Sequence, residues 1–296
     1  MANLKEIRTR IASVKSTQQI TSAMKMVSAA KLRKSQTAIM TLRPYYRKMN
    51  DIIVKLGKSM TDELPFNRKP KTKDQKILLI ALTSNKGLCS TFNSSIIKMT
   101  SKRIEEYKLK GYSVSLMSYG KKGDNSFKKI SDIDYLGTDD EIWDNLSFEN
   151  VKEKSDKFTA DFLNKKYDKI EIIYNQFKNA ATQIPTIEQF LPLPDGVSSN
   201  KSESVGVVSE YKKDYIFAPN KQEIISSVIP QSLNTQMYKC FLDSFTSEHG
   251  ARMSSMNKAT DNASSLLKEL TLTYNKQRQS DITNQIIEVS NGANAV

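Results

Sequence analysis

Few residues of this 296-residue sequence are of types, and at spacings, that could carry out chemistry. The segment Thr83-Ser84-Asn85-Lys86-Gly87-Leu88-Cys89-Ser90-Thr91-Phe92-Asn93 follows an apolar run, Ile77 to Leu82. A loop after a strand of an open α/β sheet is where ligands usually bind, and Lys86-Gly87 could contact an anion. It holds a single glycine, and none of the chain's ten glycines lies two, four or five residues from another, so there is no G-x-G, nucleophile elbow or phosphate loop. The expectation for this loop is a tight structural turn. His249 is the only histidine, which excludes multi-histidine metal sites; amid Ser247, Glu248 and Gly250 it is expected on a helix surface or between helices, not as a general base. Cys89 and Cys240 are too few for a four-thiolate zinc site and are expected as buried small hydrophobes. Asp139-Asp140-Glu141 are consecutive and read as a solvated acidic loop, not as carboxylates converging on a substrate. No catalytic, cofactor-binding or metal residue is therefore assigned. The isolated chain is expected to have no enzymatic activity, and sustained nucleotide turnover by purified protein would overturn that.

The charge is placed unevenly. The chain has 45 Lys plus Arg against 32 Asp plus Glu, a formal net charge of +13. Residues 1–50 hold eleven bases and one acid, Glu6, whereas residues 231–296 hold six of each. Such a basic segment is either a solvated helix face or a surface that meets an acidic partner. A nucleic acid is one such partner, and Tyr45-Tyr46 beside Arg43, Arg47 and Lys48 interleaves aromatic and basic residues. A basic coiled-coil nucleic-acid-binding protein is thus the alternative reading. An apolar stripe on the same helix and the lack of a nucleic-acid motif count against it.

The elements that must position these residues follow from periodicity. Neither Gly nor Pro occurs before Pro44, and Leu4, Ile7, Ile11 and Val14 follow 3-4-3 spacing. After a shift at Ser16-Thr17-Gln18-Gln19 the stripe is expected to continue through Ile20, Met24 and Val27. Past Pro230 the spacing predicts one long helix from about Gln231, with Met253, Met256, Thr260, Ala263, Leu267, Leu270 and Tyr274 in a narrow seam that then moves to Ile282, Ile286 and Val289. At 1.5 Å per residue that helix, some 60 residues long, would span roughly 90 Å, and the first, up to Pro44, about 65 Å. The long one exceeds the roughly 50 Å of a compact globule of this length. The two are expected to pair as an antiparallel coiled coil projecting from a central Rossmann-like α/β domain, with strands at Ile77–Leu82, Tyr112–Leu116, Ile170–Tyr174 and Val205–Val208. Helices are expected around Ile97, Ile104 and Tyr107 and around Phe148, Val151, Phe158 and Phe162. The domain reading is an N-terminal coiled-coil helix at 1–56, a linker at 57–74, the α/β domain at 75–217 and a C-terminal coiled-coil helix at 218–296. No apolar run approaches the roughly 20 residues of a membrane span.

Specific residues carry a family resemblance. Lys5-Glu6-Ile7-Arg8, Ile11-Ala12-Ser13-Val14, Thr17 through Val27 and Lys31-Leu32-Arg33-Lys34 resemble the start of the gamma subunit of F-type ATP synthases. Gly87-Leu88-Cys89 with Asn93 resembles that family's G-L-C turn. Ser247-Glu248-His249, Arg252-Met253, Ala259 through Ala263 and Leu270 through Lys276 resemble its C-terminal helix. Gln285 stands where the family usually has Glu, and Ser90 where glycine is common; residues 120–165 anchor little. The resemblance implies a non-catalytic rotor shaft, one copy per complex, inside a hexamer of alpha and beta subunits. Its body would contact the epsilon subunit and rest on the c-subunit ring, coupling proton or sodium flow to ATP synthesis. By position, it implies contacts to a beta subunit at Met24, Arg278, Gln279 and Thr283. Lys31, Arg33 and Lys34 are expected to face acidic loops. The match from Met1 implies a bacterial protein on the cytoplasmic face of the inner membrane.

Overall fold

The computed structural model describes residues 4–57, 66, 74–130, 132–193 and 221–294. The elements run α1 (Leu4–Gly57), β1 (Lys76–Leu82), α2 (Phe92–Leu109), β2 (Ser113–Tyr119), α3 (Lys121–Phe127), β3 (Asp134–Thr138), a 3₁₀ turn at Glu141–Trp143, α4 (Phe148–Leu163), β4 (Lys169–Phe177), β5 (Gln183–Leu191) and α5 (Lys221–Asn294). Two compact units result, one of residues 1–31 with 252–296 and one of residues 32–251.

The second unit is built on a five-stranded sheet of order β3-β2-β1-β4-β5. β1 pairs in parallel with both β2 and β4, β2 pairs in parallel with β3, and β5 is antiparallel to β4. β1 lies at the centre, and Ile77 to Leu82 are wholly buried, as a continuous apolar run requires when both faces of a parallel strand are covered. Alternation divides that strand between two cores. Ile77, Leu79 and Ala81 pack with Ile96, Ile104 and Tyr107 of α2 and Phe127 of α3. Leu78, Ile80 and Leu82 pack with Val151, Phe158 and Phe162 of α4 and Leu233, Met237 and Phe241 of α5. Ser147 caps α4 by accepting from the Asn150 amide at 3.2 Å.

The mainly parallel α/β sheet, its first, second and third expected strands and the helices after β1 and before β4 all match the sequence reading. The strand expected at Val205–Val208 lies outside the described residues. β3 and β5 were not expected. β5 carries Pro185, which an edge strand tolerates because one of its sides has no ladder to complete. Prolines also did not end the long helices: α1 runs through Pro44 and α5 through Pro230, starting ten residues before about Gln231.

In the first unit α1 and α5 pair antiparallel. Gln18 Nε2 donates to Ser264 Oγ at 2.7 Å, Thr260 Oγ1 to Thr21 Oγ1 at 2.9 Å and Lys25 Nζ to Asn257 Oδ1 at 2.5 Å, so one number falls as the other rises. The expected register shift after Val14 does not occur. Leu4, Ile7, Ile11, Val14, Gln18, Thr21, Lys25 and Ser28 keep an unbroken 3-4 spacing and are all buried or half-buried. Ile20 and Val27, expected in the seam, are 58% and 59% exposed. A heptad seam is set by phase, and here the phase continues through polar residues. On α5 all seven expected seam residues from Met253 to Tyr274 are shielded, and the same phase goes on to Gln277 and Asp281. Ile282, Ile286 and Val289 are exposed instead. By the pairing of Gln18 with Ser264, Leu4 falls opposite residue 278, so α5 beyond Asp281 has no described stretch of α1 to cover it.

Candidate functional site

The loop after β1 has the location of a ligand site and the construction of a closed turn. Ser84 N donates to Asn93 Oδ1 at 2.9 Å, Ser84 Oγ to the Lys86 carbonyl at 2.8 Å, and Asn93 Nδ2 to Ser84 Oγ at 2.8 Å and to Cys89 Sγ at 3.2 Å. The neighbouring turn after β2 closes over it: Gly123 N donates to Thr83 Oγ1 at 3.0 Å and Lys122 N to the Ser84 carbonyl at 3.1 Å. A Cβ on Gly120 would stand 2.3 Å from the Thr83 carbonyl oxygen, so the crevice at the strand ends is filled by backbone. Ser90 adopts φ 53°, the left-handed conformation that glycine takes without strain, which accounts for the glycine common there in the resembling family. The expectation of a structural turn holds.

The other chemistry-bearing residues are also absorbed by the fold. Cys89 and Cys240 are buried thiols that are not joined in a disulfide. His249, expected at a helix surface or between helices, is buried in the second unit, its ring edge-on to Phe245 with centroids 4.4 Å apart. The acidic run is not simply solvated, since Asp139 pairs with Lys154 and Asp140 with Lys121, both at 3.1 Å. Among the described residues no cluster of three His, Cys, Asp or Glu could hold a metal ion, and no helix is long and apolar enough to cross a membrane.

Two buried ionic clusters escaped the sequence reading because they are assembled from distant segments. Glu188 on β5 accepts from Tyr46 on α1 at 3.3 Å, from Tyr174 on β4 at 2.6 Å, and from Gln236 and Lys239 on α5 at 2.9 and 2.8 Å. Burial pushes its carboxyl up, but Lys239 and these donors hold it below the ordinary carboxylate value. One turn along α5, Asp243 meets Arg43 at 3.4 Å, and Arg43 also donates to the Phe177 carbonyl at 2.9 Å. Burial pushes the Asp243 carboxyl up to about 6, against the pull of Lys239 and Arg43. On the opposite face Glu171 accepts from Arg103 at 2.7 Å, Lys169 at 2.7 Å and Tyr107 at 2.6 Å. Burial alone would raise its pKa, but these partners lower it to about 2. The nucleic-acid reading loses part of its aromatic-basic patch here, because Arg43 and Tyr46 are drawn into these contacts while Tyr45, Arg47 and Lys48 stay exposed.

The residues expected to meet a beta subunit fall at separate places. Arg278, Gln279 and Thr283 are exposed on the last turns of α5, with Thr283 Oγ1 donating to the Gln279 carbonyl at 2.9 Å. Met24 is half-buried beside the seam, opposite the neighbourhood of Asn257, some 20 residues or about 30 Å of helix away from Arg278. Lys31, Arg33 and Lys34 are exposed on α1. The fold therefore does not gather these positions into one pocket; it presents them along helices.

A family model described as ATP synthase matches residues 3–296. The ATP synthase gamma chain of Flavobacterium johnsoniae is 51% identical over the whole of this chain and 99% of its own length, and that of Bdellovibrio bacteriovorus is 38% identical over the same shares. Among solved structures, a chain of the Euglena gracilis mitochondrial ATP synthase OSCP/F1/c-ring assembly aligns with a TM-score of 0.64 at 20% identity, covering 99% of this chain and 94% of that one. A chain of the Tetrahymena thermophila mitochondrial ATP synthase central stalk and c-ring aligns at 0.56 and 22%, over 81% and 99%. At such identities the structural likeness establishes the fold, and the full-length sequence matches establish kinship: the chain belongs to the ATP synthase gamma chain family.

Proposed function

We propose that this chain is the central rotor shaft of an F-type ATP synthase, turning inside a hexamer of alpha and beta subunits and coupling proton or sodium flow through the c-subunit ring to nucleotide chemistry at its partners. The observation that carries the reading is the full-length similarity to ATP synthase gamma chains, joined to a paired-helix unit whose longer helix outruns its partner. The chain itself is non-catalytic, a role consistent with a strand-end crevice that its own backbone fills. One copy serves each hexamer, with the epsilon subunit and the c-ring at the α/β domain, on the cytoplasmic face of the bacterial inner membrane.

Within this reading Arg278 offers a fixed fork of donors, and Gln279 and Thr283 further polar groups, to a loop of a beta subunit. Met24 presents an uncharged side chain to moving charged loops. The test is co-expression of a tagged copy with its own alpha and beta subunits. A large complex with one copy per hexamer and ATPase dependent on it is expected. A lone chain that ignores both subunits and binds nucleic acid with a steep salt dependence would overturn the proposal. In the assembled enzyme Met24→Lys is expected to lower ATP-driven ion pumping more than assembly, read by pumping and subunit stoichiometry in membranes.

A further inference from the structure

Three helices of the α/β unit end at the same end of it. Each returns the chain to the start of a parallel strand, α2 to β2, α3 to β3 and α4 to β4, so their last turns lie side by side where those strands begin. Every one of these helix ends carries two lysines beside an aliphatic residue: Lys108-Leu109-Lys110, Lys128-Lys129-Ile130 and Leu163-Asn164-Lys165-Lys166. No acid falls within the three stretches. Their backbone is closed on the preceding turn, with Lys110 N donating to the Tyr107 carbonyl at 3.1 Å, Ile130 N to that of Phe127 at 3.0 Å and Lys165 N to that of Phe162 at 3.0 Å, so the side chains stand on a fixed base. Leu109 is 90% exposed and Leu163 41%. Lys110, Lys128, Lys129, Lys165 and Lys166 are exposed with them, and two of these make surface pairs, Lys128 with Asp124 and Lys166 with Asp161.

Folding explains this end only in part. Cations favour helix C-termini, but that preference asks for no leucine beside them, and a single exposed leucine on its own is ordinary surface. The opposite end of the sheet provides the contrast. There Lys121 pairs with Asp140 and Lys154 with Asp139, and the exposed Leu88 sits in a surface of mixed charge. We propose that the strand-start end of the α/β unit is a membrane-surface contact, in which Leu109 and Leu163 enter the headgroup layer of a bilayer and the lysines around them meet anionic phospholipid. Such a surface matches both features at once. Each lysine gains from the negative surface potential within a Debye length, and an aliphatic tip leaves water in the apolar layer just beneath the phosphates. A purely acidic protein loop would satisfy the lysines and offer Leu109 nothing. Among the described residues no helix is long and apolar enough to cross a membrane, so the contact is peripheral. It needs none of the partner subunits and stands apart from the rotor reading.

Vesicle flotation of the full-length chain tests this, in a Lys31→Gln/Arg33→Gln/Lys34→Gln background so that the basic face of α1 does not dominate. Binding is expected to vesicles of phosphatidylglycerol with phosphatidylcholine and not to phosphatidylcholine alone. Leu109→Glu is expected to lower the partition coefficient about tenfold, as is Lys110→Gln/Lys129→Gln/Lys165→Gln, whereas Leu88→Glu changes it less than about twofold. All of these side chains lie outside the core, so the fold survives their replacement. Leu109→Trp combined with Trp143→Phe, which removes the chain's one native tryptophan, is expected to emit further to the blue on binding and to be quenched by lipids brominated in their acyl chains, and Leu88→Trp in the same background is not. Flotation needs no tryptophan change and decides the matter if Trp143→Phe fails to fold. Equal losses from Leu109→Glu and Leu88→Glu would mark general adsorption of a basic protein and overturn the proposal, as would binding that Leu109→Glu leaves unchanged or no binding to anionic vesicles at all. A chain that ignores vesicles but is held by purified c-rings until Leu109→Glu releases it assigns this end to a protein partner and equally overturns lipid contact.

Discussion

Glu188 is the residue on which α1, β4, β5 and α5 converge, and its energetics are those of a paired, mostly buried charge. Removing one partner strands the other. Glu188→Gln leaves Lys239 with no carboxylate in direct contact and is expected to cost about 3 kcal/mol by urea denaturation. Glu188→Gln with Lys239→Met should recover a large part of that loss, and equal loss in the single and double variants would show that the two are not coupled. Asp243 behaves with the opposite sign. Its folded pKa of about 6 lies above the ordinary 3.8, so the native state holds the proton more tightly than the unfolded chain. Its contribution is therefore fully present below about pH 4 and lost as pH rises through about 6. Asp243→Asn removes that window. The variant is expected to gain about 2–3 kcal/mol relative to wild type between pH 4 and pH 7, and parallel pH profiles would contradict the assignment. Glu171, held at about 2, works the other way, supporting the fold above about pH 4.5 and failing as pH falls toward 2.

At the scale of elements, what was legible in the sequence is what phase and burial alone decide. The run Ile77–Leu82 announced a central strand because every residue is apolar, and the α5 seam was readable from Met253 to Tyr274 because most of its residues are. The reading failed where composition and phase part company. Gln18, Thr21, Lys25 and Ser28 occupy seam positions without looking like core, while Ile20 and Val27 look like core and lie outside. β5 was hidden by Pro185 and its polar alternation, and α3 by having no apolar period across Lys121-Lys122-Gly123-Asp124. The ionic clusters could not be read because Tyr46, Tyr174, Glu188 and Lys239 meet only after folding. Gly250 is a milder case. Its presence within α5 looks like a tolerated cost of about 1 kcal/mol, but the helix passes the β4–β5 turn there, and a Cβ would stand 3.2 Å from the Ala180 carbonyl oxygen. Gly250→Leu is expected to destabilise the fold by about 1–3 kcal/mol through overpacking, with Gly250→Ala much nearer to neutral because helix propensity offsets the contact. Thermal denaturation of the two variants separates close approach from simple tolerance.

At the scale of the molecule, the basic excess of residues 1–50 has to be explained by something other than folding, since few of those bases are consumed by it. Arg43 turns inward and Lys25 serves the seam, but Lys31, Arg33 and Lys34 are exposed, and surface charges of this kind contribute within about 0.5 kcal/mol to stability. A field of one sign along a helix acts on partners, through steering and long-range attraction screened over about 8–10 Å at physiological salt. On the proposed reading, the expected counterparts are acidic loops of the surrounding subunits. Lys31→Gln/Arg33→Gln/Lys34→Gln therefore should leave the melting temperature of the chain within a degree or two, yet weaken assembly with alpha and beta or reduce the ions pumped per ATP in membranes. Raising the ionic strength should weaken the native assembly and narrow the gap between native and neutralised chains, because both then present a screened surface. Unchanged pumping and assembly at low salt would mean that this basic face is solvated surface and that the shaft is held by its polar and apolar contacts alone.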